Sequence, residues 1–297
     1  MELSLKKVHK IHKFKILIYT LKVEYIERIL PVDKKAQVGI FGGSGFYKFL
    51  DKIEEVAVET PYGAPSDNVF LGEVEGKKVA FLPRHNRKHS IPPHKINYRA
   101  NLWAMKELGV TRIISPCAVG SLQKEIKPGD FVISDQYIDR TSGRTDTFYD
   151  GPIATHVSAA DPYCSEMREL AIKATEENKV TCHKTGTIVV IQGPRFSTKS
   201  ESKWFTSQGW STINMTQYPE GHLAKELEMC VVNIALATDY DSGLVGDVPP
   251  VSHVEVMHVF EQNLEKLRKV LFKLIGSIPS ERKKCKCFEV LKHSRFL

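Results

Sequence analysis

The chain has 297 residues, 42% of them hydrophobic and 26% charged. This balance is typical of a folded globular protein and excludes wholesale disorder, a collagen-like repeat and a disulfide miniprotein. The net charge of +7 is concentrated at the ends, with nine basic and four acidic residues in 1–37 and six and two in 281–297. The slightly acidic centre therefore gives no indication of nucleic-acid binding. No apolar run is long enough to cross a membrane.

The six cysteines are scattered, apart from the pair Cys285 and Cys287. The absence of a C-x-x-C pair or a secretory spacing favours a reduced, cytoplasmic protein. The C-x-C pair itself is compatible with a strained disulfide or with two thiols. We predict a poorly ordered basic extension over 1–36, one domain over 37–277, and a basic tail over 278–297.

Hydrophobic periodicity predicts strands alternating with helices along the whole domain. The predicted strands cover 38–41, 78–82, 112–115, 131–134, 186–191 and 231–237, with another ending at 214. The predicted helices cover 97–108, 162–177, 200–208, 220–229 and 253–275. This alternation indicates one α/β domain with a parallel or mixed sheet. Ligands bind such sheets beyond the carboxyl ends of strands. The loops that follow predicted strands are 42–47, 83–89, 116–121, 192–199, 214–220 and 238–243.

Two of these loops have the chemistry of an anion site. The loop Gly42-Gly43-Ser44-Gly45 offers backbone N–H groups and one hydroxyl to a phosphate, although a simple tight turn is the alternative. It lacks the third glycine of a dinucleotide fingerprint. Arg84 and His85 lie in a basic cluster that would clamp a dianion, unless it is only a solvated loop. His85 and His89 have the spacing of zinc ligands, but no third ligand is nearby, so we expect no metal.

Three further loops carry side chains suited to a flat base and a sugar. Phe196 follows a strand in a sharp turn, where its ring would stack on a base or simply fill a packed corner. Met215 and Thr216 would cover a sugar face and meet phosphate, although core packing is the alternative for Met215. Cys117 is a weak candidate nucleophile, because no partner that would lower its pKa is evident.

The segment 238–241 is the most distinctive feature of the sequence. Asp239 and Asp241 follow an apolar strand, and aspartate is seldom buried unless it is paired or used. Two neighbouring carboxylates raise the pKa of one of them, which lets it keep a proton. A protonated carboxyl donates to a ring nitrogen, while an ionised one accepts from an amino group. A turn with two solvated aspartates is the alternative.

In this order, these segments resemble the 5′-methylthioadenosine phosphorylase branch of the trimeric purine nucleoside phosphorylases. The resemblance covers about residues 37–275. It rests on ten motifs: GGSGFY (42–47), TPYGAPSD (60–67), PRH (83–85), NYRAN (97–101), VGSL (119–122), PGD (128–130), DRT (139–141), GPRFS (193–197), NMT (214–216) and TDYD (238–241).

The resemblance implies that inorganic phosphate attacks the anomeric carbon of a purine nucleoside and releases the base, without a metal, a cofactor or a covalent enzyme intermediate. It also implies a mixed sheet curled into a distorted barrel flanked by helices, and a homotrimer; whether two trimers pair into a hexamer stays open. The phosphate contacts it implies are Ser44, Arg84, His85, Cys117, Ala118 and Thr216. The other implied roles are ribose contact for Met215, base stacking for Phe196, base hydrogen bonding or protonation for Asp239 and Asp241, and contact with a neighbouring subunit's site for His156.

Asp239 and Ser197 stand where the 6-oxopurine branch has Asn and Glu, which favours adenine, because a 6-amino group donates to a carboxylate. Cys117 stands where that family frequently has a hydroxyl residue. Asn86 replaces a frequent glycine, and Gly221-His222 replaces small apolar residues. His253 stands near the 5′ pocket, where methylthio-specific relatives have an apolar side chain, so the 5′-substituent stays open.

The favoured hypothesis is phosphate-dependent cleavage of S-methyl-5′-thioadenosine to adenine and 5-methylthioribose 1-phosphate. A purine nucleoside phosphorylase acting on adenosine, 6-oxopurine nucleosides or methylthioinosine is the first alternative. A nucleoside-binding protein with an inactive site is the second alternative, and a nicotinamide enzyme is the third. The expected partners are the nucleoside and phosphate, with no nucleic acid and no membrane.

Overall fold

The structure, a computed structural model, describes residues 36–42, 51–242, 251–282, 284–292 and 294–295. The strands are β1 (Val38–Gly42), β2 (Asp51–Val56), β3 (Val69–Val74), β4 (Lys77–Pro83), β5 (Arg112–Ser121), β6 (Phe131–Val132), β7 (Gln136–Arg140), β8 (Cys182–His183), β9 (Thr187–Ile191), β10 (Thr212–Asn214) and β11 (Cys230–Asp239). The α-helices are α1 (Tyr98–Glu107), α2 (Ser165–Glu177), α3 (Lys199–Ser207), α4 (Gln217–Glu226) and α5 (His253–Ser277). Within these ranges, none of the helices combines the length and apolar character that a membrane crossing requires.

Strand β5 is the centre of one mixed sheet. It pairs in parallel with β1 at its start and with β11 along almost its whole length, and it pairs antiparallel with β10 at its end. The sheet order is β2-β3-β4-β1-β5-β10-β9-β7, and β11, β6 and β8 branch from β5. The predicted α/β class with a mixed sheet is confirmed. Pairing among the described strands is branched and does not close into a ring.

The edge of β5 that faces β1 and β10 has a gap in its pairing. Pairing with β1 ends at Ile114, and pairing with β10 begins at Gly120. The prediction that the strand stops at 115 and a loop covers 116–121 is wrong, because Pro116 continues β5 in register with Ile234. Proline lacks an N–H and is tolerated in a strand where one edge has no strand partner. The gap leaves backbone groups of β5 open to other parts of the molecule.

Local sequence signals explain the helix that follows the basic loop. The Asn97 side chain accepts a hydrogen bond from the Ala100 N–H, which caps the N terminus of α1. Gly109 ends the helix with a φ of 85°, a conformation that glycine adopts without strain. Helix α1 buries Leu102 and Met105, and so fixes the direction in which the chain enters β5.

The C-terminal tail packs against the domain. Cys285 is buried in the main apolar core. The Arg282 guanidinium donates to the Glu228 carbonyl at 2.6 Å, and the His156 N–H donates to the Ser294 carbonyl at 2.7 Å. The extension predicted over 1–36 lies, except for Ala36, outside the described residues.

Candidate active site

Arg84 lies at the carboxyl end of β4 and is only 3% exposed. Its Nε and Nη2 atoms donate to the Glu220 carboxylate at 2.6 and 2.9 Å. Nη2 also donates to the Ser115 hydroxyl at 3.0 Å, and that hydroxyl donates to Glu220 at 2.6 Å. Burial alone would lower the pKa of Arg84, but Glu220 raises it above its usual value. Among the residues that the structure describes, the Nη1 atom makes one hydrogen-bond contact, at 3.5 Å to the Pro116 carbonyl, so it is the donor best placed to turn toward an anion.

His85 is held as a neutral imidazole. Its Nδ1 lies 2.9 Å from the Ile91 carbonyl, which can only accept, so Nδ1 carries the proton. Burial and the neighbouring Arg84 lower the pKa of His85 to about 4. Nε2 is therefore an acceptor at neutral pH, suited to the hydroxyl of a protonated phosphate rather than to a bare anionic oxygen.

Cys117 and Ala118, both predicted as phosphate contacts, lie in the middle of β5 but on different faces. Side chains alternate between the faces of a strand, so Cys117 and Ala118 point to opposite sides. The Cys117 thiol is buried and accepts hydrogen bonds from the Asn214 and Asn233 amides at 3.4 and 3.2 Å. Burial raises the pKa of this thiol, which makes it a poor nucleophile. Any role for this stretch in anion binding therefore falls to its backbone, where β5 has the pairing gap.

Strand β10 brings Met215 and Thr216 to the same gap. It runs antiparallel to β5, so its last residue, Asn214, points back toward Cys117. The Thr216 hydroxyl is buried and lies 3.5 Å from the Asn214 amide. A Cβ on Gly193 would stand 2.6 Å from the Met215 sulfur, and Gly193 has a φ of 62°, so another residue here would strain the turn and displace the Met215 side chain.

The same turn carries Phe196 and Ser197 into helix α3. Phe196 is 39% exposed, an unusual exposure for a phenyl ring and one that leaves its face available for stacking. Ser197 is buried. Thr198 and Glu201 form a capping box at the start of α3, which fixes the direction of the turn.

Asp239 and Asp241 lie together at the end of β11, each less than 9% exposed. The Asp239 carboxylate accepts from the Thr238 hydroxyl and from the Asp241 N–H, both at 2.8 Å. Burial raises the pKa of Asp239 to about 6, and the charge of Asp241 adds to this increase. Burial also raises the pKa of Asp241, while the nearby Ser202 and Ser197 hydroxyls oppose that change.

Asp241 Oδ2, Ser197 Oγ and Ser202 Oγ are buried and form no well-aligned hydrogen bond among the described residues, although both hydroxyls lie close enough to Asp241 to lower its pKa. A buried polar group without a partner costs about 1–3 kcal/mol. The group therefore has unused hydrogen-bonding capacity of the kind a ligand would satisfy.

Gly120 lets the carboxylates approach the end of β5. A Cβ at this position would stand 2.9 Å from Asp239 Oδ1 and 3.2 Å from Asp241 Cβ. Arg84 touches the carbonyl of Pro116 on the same strand. Gly120 lies four positions after Pro116 along the strand, a distance of about 13 Å at a rise of 3.3 Å per residue. We call the surroundings of Arg84, His85 and Glu220 the arginine end, and those of Asp239, Asp241, Phe196 and Ser197 the carboxylate end.

His253, at the start of α5, lies beside the basic loop. Its ring centroid is 6.1 Å from that of His89, which stacks at 4.7 Å on His85. His253 therefore belongs to the neighbourhood of the arginine end. Asn86 has a φ of 67°, within the range where glycine is usual and asparagine is tolerated. Its amide donates to the Ser66 carbonyl, so Asn86 stabilises the bend that the family's glycine permits.

Ser44 lies outside the described residues. His156 is an exposed residue whose backbone is bound to the C-terminal tail, so its predicted contact with a neighbouring subunit stays a prediction. His222 lies 3.4 Å from Glu226, and a Cβ on Gly221 would make only an ordinary contact with Tyr163, so neither residue crowds α4, whose kink lies at Tyr218.

Sequence reasoning missed the residues that hold the site together. Glu220 and Ser115 bind Arg84, and Gln217 donates to the Ser115 hydroxyl. Asn233 was detectable as the one polar residue in the predicted apolar strand 231–237, which is a signal of a specific buried hydrogen bond. Glu220 gives no such signal, because an acidic residue in the first turn of a helix is ordinary.

Comparison with known proteins agrees with this geometry. The profile of the phosphorylase superfamily matches residues 37–276. S-methyl-5′-thioadenosine phosphorylase of Thermofilum pendens is 52% identical over 260 residues, which is 87% of this chain and 98% of that protein. Purine nucleoside phosphorylase of Streptomyces coelicolor is 49% identical, over 85% of this chain and 93% of that protein. Methylthioadenosine phosphorylase of Schistosoma mansoni, solved with adenine, superposes with a TM-score of 0.83 at 35% identity, covering 88% and 99% of the two chains.

Proposed function

Because this chain belongs to the phosphorylase superfamily, we propose that it cleaves S-methyl-5′-thioadenosine with inorganic phosphate, giving adenine and 5-methylthioribose 1-phosphate. This makes it a pentosyltransferase of purine and methionine salvage. The observation that carries the proposal is that the buried pair Asp239 and Asp241 lies beside Gly120 and the buried Arg84 contacts Pro116, about 13 Å earlier on the same strand β5.

The chemistry follows from the charges that the reaction creates. A phosphate oxygen forms a bond to C1′ of the ribose while the C1′–N9 bond breaks, and its electron pair moves onto the purine. Negative charge grows on the imidazole ring of the base, and positive charge grows on the sugar. A general acid at the base and an anion beneath the sugar stabilise this transition state.

Asp239 is the proposed acid. With a pKa near 6, it keeps a proton in a useful fraction of molecules near neutral pH and donates it to N7 as the base departs. The Thr238 hydroxyl and the Asp241 N–H fix the orientation of its carboxyl group. Asp241 Oδ2 accepts from the 6-amino group, which supports adenine rather than a 6-oxopurine. Phe196 stacks on the base.

Phosphate occupies the gap beside β5. We assign its contacts to Arg84 Nη1, His85 Nε2, the Thr216 hydroxyl, the backbone at 117–118 and Ser44, with Met215 against the ribose. The buried Arg84–Glu220 pair supports this assignment, because it fixes the guanidinium before the anion arrives. No metal or cofactor takes part in the proposed reaction.

The decisive experiment is a substrate panel with and without inorganic phosphate. Methylthioadenosine, adenosine, inosine and methylthioinosine are compared by base release and by formation of the sugar phosphate. We expect methylthioadenosine to have the highest kcat/KM and no turnover without phosphate. Phosphate-independent base release would indicate a hydrolase, and tight adenine binding with no turnover would indicate an inactive binding protein.

A purine nucleoside phosphorylase acting on 5′-hydroxyl nucleosides is the second candidate. The observation that favours it is His253, whose ring lies beside His89 at the arginine end and would bind a 5′-hydroxyl. The Streptomyces relative carries that name. Equal kcat/KM values for adenosine and methylthioadenosine would favour this second function.

We further propose a cytoplasmic homotrimer, in which His156 contributes to the site of a neighbouring subunit. The exposed position of His156, with its backbone fixed by the tail, supports this. Light scattering gives the mass of the assembly. A mixture of His156→Ala and Asp239→Asn subunits should regain activity if sites are shared, because some interfaces then combine two intact halves.

A further inference from the structure

Four cysteine side chains converge at the end of β11 opposite to Asp239 and Asp241. The Sγ atoms of Cys164, Cys230, Cys285 and Cys287 all lie within 4.8 Å of one another. Cys164 directly precedes α2, Cys230 begins β11, and the other two belong to the C-terminal tail. Three separate parts of the chain therefore supply four sulfur atoms to one point.

The cluster is shielded from solvent. Cys230 is fully buried, Cys164 is 3% exposed and Cys285 is 8% exposed, and all four belong to or pack against the main apolar core. Thiols are weak hydrogen-bonding groups, so four of them facing each other stabilise little by themselves. All six cysteines of the chain are unlinked in the structure.

The spacing suits a tetrahedral metal centre. Zinc binds thiolates at about 2.3 Å, which places the four sulfurs of a tetrahedron about 3.8 Å apart. The Cys230 and Cys285 sulfurs are 3.4 Å apart, and the widest separation in the group is under 4.8 Å. Shifts of about 1 Å or less would convert the cluster into four-coordinate geometry, whereas a disulfide requires two sulfurs to close to about 2.0 Å.

Two positive features beside the cluster would offset part of the charge of metal-bound thiolates. Cys164 stands at the N terminus of α2, where the helix dipole stabilises a thiolate. Lys225 lies close enough to Cys287 for the two charges to interact. A soft divalent cation would balance the remaining charge.

We propose that Cys164, Cys230, Cys285 and Cys287 bind one structural Zn²⁺ ion, which fastens the C-terminal tail to the domain. Binding breaks four S–H bonds and forms four Zn–S bonds, the protons pass to solvent, and no oxidant is needed. With all four positions filled by sulfur, the site has no place for substrate, so its role is structural. The sequence-based expectation of no metal considered only His85 and His89, because the four cysteines are too scattered along the chain to form a recognisable zinc motif.

The first test measures zinc in the full-length protein, purified without chelators from zinc-supplemented medium. Elemental analysis should find about one zinc per chain in the unmodified protein and in Cys182→Ser. Cys182 is the matched control, because its thiol points to the His183 carbonyl, outside the cluster. In the double variant Cys285→Ser/Cys287→Ser, the zinc content per chain should fall at least tenfold. Zinc retained by that variant, or absent from the unmodified protein, would overturn the proposal.

A second test uses the unmodified protein, so it remains informative even if the cysteine variants do not fold. Cobalt-substituted protein should show thiolate-to-cobalt charge-transfer bands and the intense visible bands of tetrahedral coordination. X-ray absorption at the zinc edge should give four sulfurs at about 2.3 Å. A peptide map with Cys164–Cys230 or Cys285–Cys287 disulfides, or a spectrum dominated by oxygen and nitrogen ligands, would contradict it. None of these readouts depends on catalytic activity, so they remain valid whatever the substrate proves to be.

Discussion

At the arginine end of the site nearly every donor of Arg84 already has a protein partner, whereas at the carboxylate end three buried polar atoms form no well-aligned hydrogen bond among the described residues. The first arrangement fixes a charge in position before a ligand arrives, and its stability does not depend on the ligand. The second leaves buried polar groups unpaired, and a base with a complementary edge would satisfy them. The comparison suggests that one end serves mainly to position a ligand and the other mainly to select it.

The largest effect should follow from removing the acid at the carboxylate end. Asp239→Asn keeps the shape but cannot deliver a proton, so kcat/KM for methylthioadenosine should fall about 10²–10⁴-fold. Stopped assays of adenine release measure this. Asp150→Asn, which changes a surface carboxylate paired with Arg99, should leave the rate unchanged. Near-normal activity of Asp239→Asn would remove this residue from the mechanism.

Breaking the internal partner at the arginine end should instead affect stability. Glu220→Gln leaves the buried Arg84 cation without a counter-charge, which costs about 3–5 kcal/mol of unfolding free energy. Thermal unfolding should show a large fall in Tm, and the KM for phosphate should rise. Glu226→Gln is the control, because this buried carboxylate lies on the same helix and accepts hydrogen bonds from Thr147 and Phe148 without an arginine.

If Glu220→Gln does not fold, Ser115→Ala tests the same network more gently, because it removes the hydroxyl shared by Arg84 and Glu220. A Tm and a phosphate KM unchanged in both variants would mean that Arg84 does not depend on this network.

The raised pKa of Asp239 predicts how stability depends on pH. In the unfolded chain this carboxyl titrates near 3.8, and in the folded protein near 6, so the folded state binds more protons between those values. Stability from this group is therefore greatest below about pH 4 and declines as pH rises through 6, by about 2–3 kcal/mol in all. The difference in unfolding free energy between the unmodified protein and Asp239→Asn, followed from pH 4 to 7, isolates the contribution. A difference that does not vary with pH would show that Asp239 has an ordinary pKa.

The smallest effect concerns the 5′ substituent. His253→Leu should lower kcat/KM for adenosine relative to methylthioadenosine about 2- to 10-fold, because one hydrogen bond contributes about 0.5–1.5 kcal/mol. His258→Leu, an exposed change further along α5, should not alter the ratio. Unchanged selectivity in His253→Leu would place the 5′ pocket elsewhere.

The parts of the molecule with strong local signals were predictable from sequence. The apolar runs at 38–41 and 231–237 correspond to β1 and β11, and the capped helix at 97–108 corresponds to α1. Strand β2, with the sequence DKIEEV, has too little apolar alternation to be recognised. Strand β5 was cut short at Pro116, because a proline ordinarily ends a strand and only the pairing gap explains its presence.

The site was predictable as a set of loops but not as a network. Asp239 and Arg84 stood out by residue type and position. Glu220 and the four clustered cysteines depend on contacts between residues separated by 55 or more positions, which no local pattern specifies. The assignment of Cys117 changed for the same reason, because its thiol faces two asparagines from other strands.

Strand β5 has one further consequence for what this protein can evolve to accept. A hydrogen-bonded extended chain cannot stretch, so the length of β5 between Pro116 and Gly120 fixes the distance between the two ends of the site. Ligands that are substantially longer or shorter would miss one terminus however well they suit the other. New specificities on this scaffold should therefore arise by exchanging side chains at either end of the site. A single-residue insertion between Pro116 and Gly120 should abolish activity.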